Sequence, residues 1–177
     1  MMKTGAVSPN FQDILQSIKS GMVDWGNGLE SSEKILEAAQ LRAKQNNLPY
    51  AGVLTPQESF AVLQNNPSSI LIDVRSRAEL ELVGRVPQST HIEWAFYPGM
   101  VANTDFAAQL QSQVDKELTV IFMCRTGGRS HNAAVLAQQL GYKNAYNMAE
   151  GFEGEANSLK QRTLINGWRH AGLPWTN

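Results

Sequence analysis

Polar and apolar positions divide the chain into two regions of different rhythm. Over residues 29–45, Ile35, Leu36, Ala39 and Ala43 fall on one helical face with charged residues opposite, which predicts an amphipathic helix from Leu29 to Gln45. Asn46, Asn47 and Pro49 end it. A second helical pattern covers Phe11 to Lys19, and the stretch GNGL at 26–29 predicts a turn between the two. Residues 1–50 therefore read as an N-terminal helical extension.

From Leu54 onward, short apolar runs alternate with helical segments. Thr55, Pro56 and Glu58 spell a capping box with proline at the first helical position, which predicts a helix to about Gln64. Ile70 to Val74 reads as a buried strand, and Ser76 with Glu79 opens a short helix that stops near Gly84. A short strand is expected at Thr90 to Glu93, and a helix through Phe106, Ala107 and Leu110 is expected to be capped by Asn103 or Thr104. Leu118 to Met123 is the clearest strand, followed by a helix from Ser130 to Leu140, a weaker strand at Asn144 to Asn147, and a last helix between Phe152 and Gly172. Alternating strands and helices predict an α/β fold, a parallel sheet with helices on both faces, as one main domain over 54–175.

Composition narrows the function. The 177 residues carry 15 Lys and Arg against 16 Asp and Glu with no long run of either sign, so nucleic acid and membrane surfaces are not expected partners. No segment approaches the roughly 20 apolar residues that span a bilayer, and the first residues lack the apolar core of a signal peptide; a cytoplasmic location is the expectation. Cys124 is the only cysteine. It has no disulfide partner and cannot belong to a cysteine-rich zinc site, which leaves inert packing or thiol chemistry.

Its neighbours favour chemistry. Cys124-Arg125-Thr126-Gly127-Gly128-Arg129 joins the end of a buried strand to a helix that starts at Ser130. A strand-to-helix turn aims successive backbone N–H groups inward, and the helix adds its positive end, together making an anion cradle. Gly127 and Gly128 are expected to permit the tight curvature. Such a cradle favours the thiolate form of a cysteine and then holds its anionic product.

The loop CRTGGRS resembles the active-site loop of the rhodanese family. Further likenesses follow in order: Ile72-Asp73-Val74-Arg75, Glu79, Gly84, Val86-Pro87, His91-Ile92, Gly141-Tyr142, Glu150-Gly151-Phe152 and Gly172-Leu173-Pro174. The resemblance covers roughly residues 54 to 175 and departs from the family at Arg85, Ala149 and Glu155, which bears on entrance shape and substrate choice. It implies a rhodanese-like sheet and a sulfurtransferase of the thiosulfate type, with Cys124 as the persulfide-carrying nucleophile. It also implies that Asp73, Arg75 and Glu79 form a structural set of ion pairs and hydrogen bonds. Arg129 is expected to fix the loop backbone with its side chain, and Arg125 to meet a thiosulfate-like anion at the entrance.

No cofactor is expected, and His91, His131 and His170 lack the spacing of a metal site. The expected partners are a small sulfane-sulfur donor and a thiol acceptor, with residues 1–50 as the surface for a homodimer or another protein. Two other readings stand beside this one. The first is a sulfur-carrier or regulatory module with little turnover of small molecules. The second is a phosphatase or arsenate reductase of the same fold. Related phosphatases need five residues between Cys and Arg to surround a phosphate, whereas four separate Cys124 from Arg129. The smaller ring suits a single sulfur atom.

Overall fold

The computed structural model describes residues 28–177, so the helix expected over Phe11–Lys19 lies outside the described residues. The elements in chain order are α1 (Gly28–Gln45), β1 (Gly52–Leu54), α2 (Pro56–Asn65), β2 (Ser69–Asp73), α3 (Arg77–Val83), β3 (Thr90–His91), β4 (Ala95–Phe96), β5 (Val101–Ala102), α4 (Phe106–Gln113), β6 (Thr119–Met123), α5 (Gly128–Gln139) and β7 (Ala145–Met148). Five strands form a parallel sheet in the order β1-β7-β6-β2-β3, and β4 and β5 form a separate antiparallel hairpin. The fold is thus the α/β architecture expected, with helices on both faces.

Side chains alternate across each strand, and the two faces of β6 feed two separate cores. Ile121 and Met123 pack with Ile35 and Ala39 of α1, Phe60 and Val62 of α2, and Trp168. Val120, Phe122 and Cys124 pack on the opposite face with Phe106 and Leu110 of α4 and Ala133, Ala134 and Ala137 of α5. Fully burying an aliphatic or aromatic side chain of this kind contributes about 1.5–3 kcal/mol. Both faces of the sheet are covered, so β6 is apolar from Val120 to Met123, and all five of its residues are buried.

Both capping boxes form. Thr55 and Glu58 exchange side-chain and backbone bonds at the start of α2, and Ser76 and Glu79 do so at the start of α3, where Gly84 ends the helix. Asp73 pairs in register with Met123, so β2 and β6 deliver their next residues to the same edge of the sheet. That edge carries the site.

Four expectations need correction. Gly28, expected in the turn, already belongs to α1. Helix α4 has Asp105 at its N-cap with no side-chain cap bond, while Asn103 accepts the Asp105 N–H at 3.1 Å one turn earlier. Helix α5 begins at Gly128, two residues before Ser130. No helix follows Phe152: residues 153–172 run as turns, bends and irregular backbone, with Lys160 at φ 61° and Thr163 at φ 67°, values no right-handed helix contains. Tertiary bonds fix this segment instead, through Thr163 N–H to the Glu153 carbonyl at 2.8 Å and Trp168 N–H to the Gly151 carbonyl at 2.9 Å.

Candidate functional site

Cys124 is the first residue beyond β6 and is 1% exposed. Gly127 serves as N-cap of α5 in the left-handed conformation, with φ 101°. That conformation turns its N–H back onto Cys124, 3.1 Å from Sγ, and it is open to glycine with little strain. The Ser130 hydroxyl donates to the same sulfur at 3.3 Å. Two donors and the positive end of α5 therefore converge on a buried thiol sulfur. Gly128, by contrast, is exposed and carries no positive φ, so the curvature rests on Gly127 alone.

The loop is held from both sides of the sheet. On the β7 side, Phe152 N–H donates to the Cys124 carbonyl at 2.8 Å and Glu153 N–H to the Arg125 carbonyl at 3.0 Å. A Cβ at Gly151 would run into the Arg125 carbonyl, so only glycine allows this approach. Asn147 donates from Nδ2 to the Gly127 carbonyl at 3.3 Å. Gly151, Phe152 and Glu153 thus brace the loop from the side, while the Glu150 carboxylate accepts from the Gly167 N–H at 2.9 Å.

On the β2 side, Arg129 makes a two-pronged ion pair with Glu79 of α3, both bonds being 2.7 Å. Arg129 was expected to bond the loop backbone with its own side chain, but its guanidinium goes to Glu79 and ties the loop to α3. Burial works against the Arg129 charge, yet the hydrogen bonds and charge of Glu79 raise its pKa above the ordinary value. Burial likewise pushes the Glu79 carboxyl up, but bonds from Arg129 and Ser76 and the Arg129 charge outweigh it and bring the pKa down to about 2. Beneath them lies the fully buried pair of Asp73 and Arg75. Arg75 also donates to the Gly84 carbonyl at 2.9 Å and lies 4.1 Å over the Phe152 ring, a cation–π contact. Asp73, Arg75 and Glu79 are thus engaged by other groups of the fold, although Nη1 of Arg75 is buried with no hydrogen-bond partner among the described residues.

Arg125 and Thr126 are exposed on the outer side of the loop. In the aromatic segment, Trp94 packs edge-on against Phe106 while Phe96 and Tyr97 are exposed on the β4–β5 hairpin. The three histidines are apart from one another. His91 donates from Nε2 to the Arg75 carbonyl at 2.7 Å, His131 meets the Tyr50 hydroxyl at 2.8 Å, and His170 faces the Thr163 carbonyl at 3.3 Å. Among the described residues no group of three or more His, Cys, Asp or Glu is placed to hold a metal ion, and no helix is long and apolar enough to cross a membrane. Sequence reasoning missed Asn147 and Tyr50. The signal for Asn147 was a lone polar side chain in an otherwise apolar strand, Ala145-Tyr146-Asn147-Met148.

A parallel α/β sheet with a cysteine cradled at the turn from its central strand into a helix is the frame of the rhodanese fold. The family model for the rhodanese-like domain matches residues 56–157, and the chain belongs to that family. It is 33% identical over 120 residues to an uncharacterized protein of Rickettsia conorii, covering 67% of this chain and 91% of that one. It is 29% identical over 101 residues to the thiosulfate sulfurtransferase GlpE of Haemophilus influenzae, covering 57% of this chain and 84% of that one. Among solved structures, the crystal structure of Rv0390 from M. tuberculosis superposes with a TM-score of 0.67 at 38% identity, covering 72% of this chain and 98% of that one. The polysulfide-sulfur transferase of Wolinella succinogenes shares the fold at a TM-score of 0.50 and 24% identity, covering 87% and 93%.

Proposed function

We propose that this chain is a sulfurtransferase that moves sulfane sulfur from a small donor such as thiosulfate to a thiol or cyanide acceptor, through a persulfide on Cys124. The observation that carries the reading is the convergence of the Gly127 N–H and the Ser130 hydroxyl on a buried Sγ, in a loop with four residues between Cys124 and Arg129. Kinship with thiosulfate sulfurtransferases at the family level supports it.

In the first step the Cys124 thiolate attacks the outer sulfur of thiosulfate. The sulfur–sulfur bond of the donor breaks, sulfite leaves with the electron pair, and a Cys124 persulfide remains. The loop donors and the helix end stabilise the anionic outer sulfur. In the second step the acceptor attacks that sulfur, and cyanide leaves as thiocyanate while Cys124 returns as thiolate. Electrons balance within donor and acceptor, so no cofactor enters. Arg125, exposed at the mouth, supplies a cationic contact for an anionic donor.

Intact mass after treatment with thiosulfate and removal of the excess tests the reading. One sulfur, about 32 Da, should be gained and then lost to cyanide or dithiothreitol, with ping-pong kinetics in steady state. Cys124→Ser should gain nothing. Turnover of thiosulfate by folded Cys124→Ser would overturn the assignment of the nucleophile.

A further inference from the structure

We infer that Asn147, which shares the Gly127 carbonyl with the Tyr50–His131 pair, is a positioning residue for sulfur transfer, acting through the Gly127–Gly128 peptide; the inference rests on the sulfurtransferase reading. The strand alternation that puts Tyr146 and Met148 into one core and Ala145 into the other sends Asn147 toward α5 and Cys124. There Nδ2 donates to the Gly127 carbonyl at 3.3 Å. That bond sets the amide with its nitrogen toward the loop, and Oδ1 is buried with no hydrogen-bond partner among the described residues. An unpaired buried oxygen of this kind costs about 1–3 kcal/mol, so stability alone gives no reason for an amide here.

The same carbonyl is supported from α5, where the Tyr50 hydroxyl and Nδ1 of His131 are hydrogen-bonded at 2.8 Å. The His131 backbone N–H donates to the Gly127 carbonyl at 3.1 Å. That carbonyl therefore accepts two donors, one from α5 and one from β7. Two consequences follow for the reacting sulfur. The Gly127 carbonyl is fixed in direction, which holds the left-handed turn whose N–H faces Sγ. The same peptide ends in the Gly128 N–H, the first of the α5 donors that lack an acceptor within the helix, and polarising the carbonyl strengthens that donor. Tyr50 lies between α1 and β1, ahead of the matched residues 56–157, so a segment outside the family match contributes to the setting of the cradle.

Single-turnover loading of the full chain by thiosulfate, followed by intact mass, tests the inference alongside steady-state kcat and KM. Asn147→Ala should load about tenfold more slowly, the scale of one lost hydrogen bond, with kcat falling and KM for thiosulfate nearly unchanged. Tyr50→Phe, which keeps the ring and removes the hydroxyl, should slow loading by about threefold, and adding it to Asn147→Ala should slow loading no further. This shared loss is what two supports of one carbonyl give and what independent packing defects do not. Wild-type loading rates in both variants, fully multiplying effects, or a change confined to KM would overturn the inference. If Asn147→Ala does not fold, Tyr50→Phe decides alone, a wild-type loading rate overturning the inference and a threefold loss supporting it. A wild-type chain that gains no sulfur would instead overturn the sulfurtransferase reading itself.

Discussion

Arg125 and Arg129 stand four residues apart in one loop and have different surroundings. Arg129 spends both of its guanidinium bonds on Glu79, while Arg125 is exposed with no carboxylate partner among the described residues. Arg125→Ala should therefore weaken use of anionic thiosulfate several-fold while leaving a neutral persulfide donor nearly unaffected, as kcat/KM for the two donors will measure. Glu79 gives a prediction in pH. Its pKa in the fold is about 2 against an ordinary 4.5, so its contribution to stability is complete above pH 4.5 and drains away as pH falls through about 2. Glu79→Gln should melt below the wild type at neutral pH, and the two melting curves should converge as the acid limit is approached. A constant gap from pH 7 to pH 2 would show that the ion pair with Arg129 is not its source.

Elements that signal their own ends were legible in the sequence. The boxes at Thr55 and Ser76 are local contracts between residues three apart, and they start α2 and α3 where the sequence says. The cysteine turn was legible for the same reason: glycine spacing, an adjacent helix and a preceding buried strand all lie within about a dozen residues. What failed depended on distant partners. Asn147 bonds a residue 20 positions away, and the partner of Arg129 is 50 positions away, distances at which spacing carries no information. The helix expected after Phe152 was lost for a similar reason. The Trp168 ring is fully buried against Phe60, and its Nε1–H bonds the Pro174 carbonyl at 2.8 Å, so the tail is shaped by the core it closes. Phe152→Ala would remove the ring beneath Arg75 as well as core volume, and a loss of about 3–5 kcal/mol is expected from chemical denaturation.

At the scale of the molecule, the sheet separates two cores, and α1 belongs to the one away from Cys124. The helix sits close on β1: a Cβ added at Gly52 would come within 2.8 Å of the Ala39 backbone, and Ala39 itself is fully buried. Arg42 joins it to Glu58 of α2, and Gln40 donates to the Tyr146 hydroxyl of β7 at 3.0 Å. These contacts give α1 the bonds of an internal element, although the sequence sets it apart from the alternating region as an extension. Ala39→Leu tests which description governs folding. Overpacking at this site should cost about 1–3 kcal/mol and lower the melting temperature by roughly 2–4 °C for each of them, in a single transition. Sulfur loading at 25 °C should stay near the wild-type rate, because the strained core lies across the sheet from the cysteine. Two separate transitions, with the main one unmoved, would mean that α1 folds as an appendage and that its contacts with α2 and β7 add nothing to the stability of the sheet.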